Sequence, residues 1–265
     1  MEQIISKDGT EIAYEVSGSG PNVILVAGAL TDRVALRPLA EALSTDLTVV
    51  NFDRRARGDS GDADDGFPES PAREIEDIKA LIEAVGSPAS LYGHSSGASL
   101  ALEAAAALDI ERLVLHEPPY DPEDQEPSES DPAQYNRKLR ELLAAGDDAG
   151  AVELFLLTVG MPQEMVNEMK ATPEWPDWVS KGRSLAYDSA AVGDASGGRI
   201  PRERLPEVTC PTMTLAGSET FPFMIEVAET LAEELPAGLC LVVAGADHES
   251  GQDLIAPPVK AFLAD

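Results

Sequence analysis

Basic residues are scarce in this chain: 19 Lys and Arg stand against 48 Asp and Glu, a formal net charge of −29 over 265 residues. A field of that sign repels phosphate backbones and anionic lipid surfaces and slows the capture of anionic substrates. Neither nucleic acid nor a membrane is an expected partner. Cysteine is equally sparse. Cys210 and Cys240 each stand at the start of an expected strand and read as small buried hydrophobes, not as a disulfide or a metal site. No uninterrupted apolar run is long enough to span a bilayer. The start Met1-Glu2-Gln3 is acidic and has neither the basic nor the apolar region of a secretory leader, so a cytoplasmic location is expected. Histidine, the commonest base at neutral pH, occurs only at His94, His116 and His248.

What remains is ordinary enough to fold: 43% hydrophobic residues, in a length that suits one large α/β domain or a core with a modest insertion. Much of the negative charge falls in residues 59–76 and 120–131, where Pro, Gly and Ser indicate exposed loops and a solvated surface. The first half alternates strand and helix signals. Residues 3–6 and 11–16 suit a hairpin turned at Asp8-Gly9, and the continuous apolar run 23–26 suits a strand buried on both faces. A helix over 37–43, a strand over 48–52 and a helix over 72–85 stopped by Gly86 follow. A further strand over 113–116 closes this half. Residues 118–205 carry no strand signal, only short helical patches broken by Pro and Gly. Strands over 212–216 and 239–244, with helices over 225–235 and 254–263, complete the pattern. Such an order predicts a mostly parallel sheet wrapped by helices, with a core of residues 1–118 and 206–265 and a helical cap of 119–205.

Gly93-His94-Ser95-Ser96-Gly97 lies between the short apolar run Ser90-Leu91-Tyr92 and an alanine-rich helical stretch, 98–107. Strand, tight turn and helix are the setting of a nucleophile elbow, which marks Ser95 as a catalytic nucleophile. A serine hydroxyl needs a base within hydrogen-bond reach. His94 sits inside the elbow, its side chain leaving on the side opposite Ser95, and His116 ends a strand whose Val114 faces a covered side. His248 follows the last expected strand in a loop that emerges at the same carboxyl edge as the elbow, so it is the candidate base.

The strings at 23–28, Asp53-Arg54-Arg55-Ala56-Arg57-Gly58-Asp59-Ser60, 93–97 and 245–248 occur in the order found in α/β-hydrolase-fold proteins, and the resemblance covers essentially the whole chain. It implies an eight-stranded, mostly parallel sheet with a helical cap. It also implies a triad acid after the strand at 212–216, commonly in Gly-x-x-Asp. Here the string is Gly217-Ser218-Glu219-Thr220, and Thr220 cannot serve. Glu117 and Glu219 are the two candidates. His116-Glu117-Pro118 is similar to a string that supplies the acid in zearalenone-type lactone hydrolases, which also share the Ser-Ser-Gly-Ala-Ser run at 95–99. That likeness favours Glu117, with Glu219 as the alternative.

Acyl transfer further needs two donors aimed at the developing oxyanion. The amide of Ser96, at the start of the elbow helix, is one. The family resemblance places the other on Ala29, in Ala27-Gly28-Ala29, where relatives usually carry His-Gly-x; Ala29 and Leu30 side chains would then line the pocket floor. The arginine-rich turn is similar to a structural Asp-x-Arg-Gly-x-Gly-x-Ser turn of the family, with Ala56 in place of a glycine, and has no P-loop spacing. Both tryptophans, Trp175 and Trp178, lie in the insertion with Phe155, Met161, Met165, Met169 and Tyr187. An apolar ceiling suits a neutral, hydrophobic small molecule, with Trp175 and Tyr187 as candidate contacts, the former by likeness to a cap tryptophan of the lactone hydrolases. No metal or organic cofactor is implied. The expected chemistry is ester or lactone hydrolysis; cofactor-independent oxygenation, carbon–carbon bond hydrolysis and non-catalytic ligand binding are alternatives on the same fold. Oligomeric state is left open.

Overall fold

The computed structural model describes residues 1–63, 67–122, 132–193, 198–250 and 252–264. Eight strands form one sheet in the order β1-β2-β4-β3-β5-β6-β7-β8. The hairpin β1 (Glu2–Ile5) and β2 (Glu11–Gly18) is antiparallel, and β2 joins β4 (Thr48–Phe52) antiparallel. From β4 the sheet runs parallel through β3 (Asn22–Val26), β5 (Ala89–His94), β6 (Leu113–His116), β7 (Thr212–Gly217) and β8 (Gly238–Val243). This is the mostly parallel, eight-stranded architecture that the resemblance implied.

Strand pleating explains the layers, because successive side chains leave on opposite faces. Ile24 and Val26 join one core with α2 (Ala72–Val85), α3 (Ser96–Ala107) and α9 (Pro222–Glu234). Val23 and Leu25 join the other, with α1 (Arg33–Leu43) and α10 (Gln252–Ala264). The continuous apolar runs are thus what a sheet covered on both sides requires. Helix α1 starts earlier than its apolar spacing predicts because Asp32 caps it, accepting from the amides of Val34 (3.0 Å) and Ala35 (3.2 Å).

Between β6 and β7 the described chain forms α4 (Pro132–Ala144), α5 (Asp148–Thr158), α6 (Gln163–Lys170), α7 (Trp175–Ser180) and α8 (Leu185–Val192), and its one isolated bridge pairs Asp121 with Arg199. A third core joins these helices to Leu30. Among the described residues no helix is long and apolar enough to cross a membrane.

Two expectations need correction. Cys210 is buried, but it precedes β7 by two residues, while Cys240 is half-buried in the middle of the edge strand β8. The acidic stretch 59–76 is not simply solvated surface. Glu74 is 2% exposed and pairs with Arg54, and Asp62 accepts the Tyr187 hydroxyl. Residues 64–66 and 123–131 of the two acidic stretches lie outside the described residues.

Candidate active site

The elbow forms because two glycines let three segments approach at backbone distance. A Cβ on Gly93 would lie 2.4 Å from the Gly97 carbonyl oxygen, and one on Gly97 would lie 2.2 Å from that of Val26. Between them Ser95 is held at φ 55°, ψ −128°. Among the described residues four non-glycines have left-handed φ: Leu30 (55°), Ala56 (61°), Ser95 (55°) and Glu117 (51°). Three of these are sequence-predicted site residues, and strain of this kind persists only where surrounding structure enforces it.

Ser95 and Glu117 follow the paired strand ends His94 and His116, and the Ser95 amide donates to the His116 carbonyl at 2.9 Å. Glu117 is fully buried. One carboxylate oxygen accepts the Gly217 amide at 2.7 Å; the other accepts the Thr220 hydroxyl at 2.9 Å and meets His248 Nδ1 at 2.6 Å. Burial works to raise this carboxyl, but the bonds from His248, Gly217 and Thr220 together outweigh it and hold the group below the usual glutamate range. Glu219 is not brought to the histidine. Its side chain is exposed, and only its amide is engaged, with the Ala246 carbonyl at 2.8 Å. Thr220, where the resemblance implied an acid, instead donates its hydroxyl to Glu117.

His248 keeps 20% of its side chain exposed. Its carbonyl accepts from His94 Nε2 at 3.0 Å, and the two rings lie 4.7 Å apart. The His116 ring lies 4.8 Å from the His94 ring, so His94 neighbours both other histidines. Burial and the neighbouring His248 lower the His94 pKa to about 4. The His116 imidazole is held well below its usual range by burial, and its Nδ1 meets the Tyr92 hydroxyl at 2.7 Å. His94 was expected to point away from the reacting group; its ring nevertheless braces the backbone of His248, a role that a lone histidine in the elbow did not advertise.

The Ala29 and Ser96 amides have no hydrogen-bond acceptor among the described residues, as oxyanion donors require. Leu30 is 4% exposed and packs in the core of the insertion, with Ala29, Trp175 and Trp178 partly buried against the same cluster. Tyr187 is placed elsewhere: its hydroxyl donates to Asp62 at 2.7 Å and its ring lies under the Arg55 guanidinium, 5.6 Å from the ring centre. Packing accounts for that side chain. Arg54, Arg55 and Arg57 are buried and saturated. Arg54 pairs with Glu74 and Asp188, Arg55 with Asp77 and Asp8, and Arg57 with Asp188. With their donors so occupied, the turn is structural and not an anion site. Asp188 escaped sequence reasoning; the signal was a single carboxylate inside an otherwise apolar helix, which must find a cation when buried. Among the described residues no cluster could hold a metal ion.

A family model described as the alpha/beta hydrolase family matches residues 23–258. The chain belongs to the alpha/beta hydrolase family. Its likeness to solved members extends over nearly the whole length. An alpha/beta hydrolase from Sphaerobacter thermophilus DSM 20745 is 40% identical with a TM-score of 0.87, over 98% of this chain and 99% of that one. The enol-lactonase from Burkholderia xenovorans LB400 has a TM-score of 0.69 at 20% identity over 100% of both chains, a likeness of fold alone. Among curated proteins, the uncharacterized hydrolase YraK of Bacillus subtilis (strain 168) is 31% identical over 113 residues, which span 42% of this chain and 42% of that protein.

Proposed function

We propose that this alpha/beta hydrolase family member is a cytoplasmic serine hydrolase that cleaves a small, neutral, hydrophobic ester or lactone through an acyl-enzyme. The observation that carries the reading is the 2.6 Å contact between His248 Nδ1 and a buried Glu117, at the rim where Ser95 is raised on its elbow. An ionised Glu117 takes the Nδ1 proton as a hydrogen bond, which leaves Nε2 with its lone pair as the general base. Residues 119–205 act as a cap over the core of 1–118 and 206–265.

In this reading His248 Nε2 removes the Ser95 hydroxyl proton as the oxygen attacks the carbonyl carbon. The amides of Ala29 and Ser96 receive the oxyanion, and Glu117 stabilises the imidazolium. Collapse expels the alkoxide, which takes the proton from His248. A water, deprotonated by the same nitrogen, then attacks the acyl carbon, and Ser95 leaves with its proton restored. Trp175 and Leu30, packed in one apolar cluster beside Ala29, support a hydrophobic acyl or alcohol group. Every proton in the cycle is moved by the chain's own groups.

The test is labelling with a fluorophosphonate probe, followed by a panel of aryl esters and lactones against wild type and Ser95→Ala. Labelling at Ser95 and loss of turnover in the variant are expected. Wild type that neither labels nor turns over any ester or lactone would overturn the reading, and oxygen uptake retained by Ser95→Ala would replace it with an oxygenase.

A further inference from the structure

The two amides assigned to the oxyanion belong to separate segments, and one buried carboxylate is linked to both, directly through the Ser96 hydroxyl and by way of Arg57 to the Gly28 carbonyl. Asp188, on α8, accepts the Ser96 hydroxyl at 2.7 Å and two bonds from Arg57 at 2.7 Å each. Arg54 adds a third cationic contact at 2.7 Å and donates to the Ala27 carbonyl at 3.0 Å. Arg57 spends its remaining donors on Ser184 (3.0 Å) and on the carbonyls of Gly28 (2.5 Å) and Thr31 (3.1 Å). The Gly28 oxygen also accepts the Thr31 amide at 3.3 Å.

The bond to Gly28 sets a direction. In a trans peptide the carbonyl of one residue and the N–H of the next point to opposite sides. Gly28 itself lies against the nucleophile, since a Cβ there would sit 3.1 Å from Ser95 Cβ. With the Gly28 carbonyl held by a guanidinium, the Ala29 N–H faces away from Arg57. A flipped peptide would aim a carbonyl at the developing oxyanion and an N–H dipole at a buried cation, and both are repulsive. The next residue, Leu30, has φ 55°, so this loop does not rest in a relaxed conformation and needs an external hold.

We propose that Arg57 and Asp188 are positioning residues for the oxyanion hole: Arg57 orients the Gly28–Ala29 peptide with its N–H toward Ser95, and Asp188 of α8 locks Arg57 and Ser96 to one carboxylate. The proposal rests on the Ser95 hydrolase reading above. Its consequence is that a residue of the insertion, and not the core alone, keeps both donors in register; the hole is complete only while α8 is seated on α3. Burial works to raise the Asp188 carboxyl, but the charges of Arg57 and Arg54 hold it below the usual range, so the lock stays ionised.

Arg57→Lys keeps the charge but presents a single nitrogen, which cannot stand in for Nη2 on Asp188, Nη1 on the Gly28 carbonyl and Nε on Ser184 together. The expected result is a fall in kcat of at least about tenfold with KM within about twofold, in line with loss of an oxyanion donor. Affinity for a trifluoromethyl ketone, whose hemiketal carries the oxyanion, should fall by the same factor. Affinity for the carboxylic acid product should not change. Ser96→Ala, which keeps the amide and every arginine–carboxylate pair but loses the hydroxyl's bonds to Asp188 and Arg54, should give a smaller loss of the same pattern. Unchanged kcat and ketone affinity in folded Arg57→Lys would overturn the proposal, as would equal losses of ketone and product affinity. If Arg57→Lys does not fold, Ser96→Ala decides on the same ratio. Failure of wild type to turn over any ester instead removes the underlying reading, so the two failures are distinguishable.

Discussion

His248 Nδ1 stands 2.6 Å from Glu117 Oε2, and Thr220, where the family resemblance implied an acid, donates its hydroxyl to that same oxygen at 2.9 Å. The carboxylate that reaches the histidine therefore follows the end of β6, one strand along the sheet from β7.

This relationship separates the two candidate acids by experiment. Glu117→Gln should lower kcat by about 10²-fold or more, because the imidazolium loses its counter-charge and the ring its preferred tautomer. Glu219→Gln should stay within about twofold of wild type. Steady-state kinetics on one active ester measures both; the reverse ranking would transfer the role to Glu219.

The same carboxylate makes stability depend on pH. A group whose folded pKa is depressed contributes stability that is fully present above its unfolded value, about 4.3 for glutamate, and is lost as pH falls through the lower folded value. Glu117 is such a group. The contribution of the Glu117 carboxylate to the stability difference between wild type and Glu117→Gln should therefore shrink as pH falls below about 4. Urea unfolding of both proteins across that range reads the trend directly.

Burial decides which ion pairs matter for folding. Arg55 and Asp77 are 0% and 1% exposed at their side chains and paired at 2.6 Å. Asp77→Asn should cost about 3 kcal/mol, because the buried guanidinium is left with Asp8 alone. Lys7–Glu76, at 2.9 Å with 73% and 31% exposure, is a control in which Glu76→Gln should leave the denaturation midpoint unmoved.

Ala56 stands where the resemblance implied a glycine, and its φ is 61°. Left-handed backbone costs an L-residue roughly 1–2 kcal/mol, against about 0.5–1 kcal/mol of extra chain entropy for glycine. Ala56→Gly should raise stability by up to about 1 kcal/mol and leave kinetics unchanged. A drop in the thermal midpoint would contradict this account of the turn.

The insertion's two aromatic candidates should part company. Trp175→Ala, in the cluster beside Leu30, should raise KM for bulky apolar esters several-fold. Tyr187→Phe breaks a hydrogen bond to Asp62 and should lower stability by about 1–2 kcal/mol with KM unaltered. An unchanged KM for every substrate of Trp175→Ala would make it a packing residue only.

Local chemistry made much of this protein legible before any tertiary information. Continuous apolar runs and helical periodicity placed the strands and helices of the core within a few residues, because a sheet buried on both faces needs apolar side chains at successive positions. The elbow was equally plain, since close approach demands Gly93 and Gly97 whatever surrounds them. Where the reading stopped short, the missing quantity was always a partner distant in sequence. Glu74 looked like surface charge until Arg54 was seen beside it. His94 looked inert until its ring met the main chain of His248.

Local backbone sterics and residue chemistry made legible the succession of strands along the chain, the tight strand-to-helix turn that carries Ser95, and the short roster of groups able to act as base or acid. Which distant side chains meet was set by folding alone: His248 takes Glu117 and not Glu219, and Asp188 joins Ser96, 92 residues away in the chain, to Arg57. Hydrogen bonds and buried ion pairs fall off within a few ångströms, and sequence spacing carries no record of which distant side chains folding will bring that close.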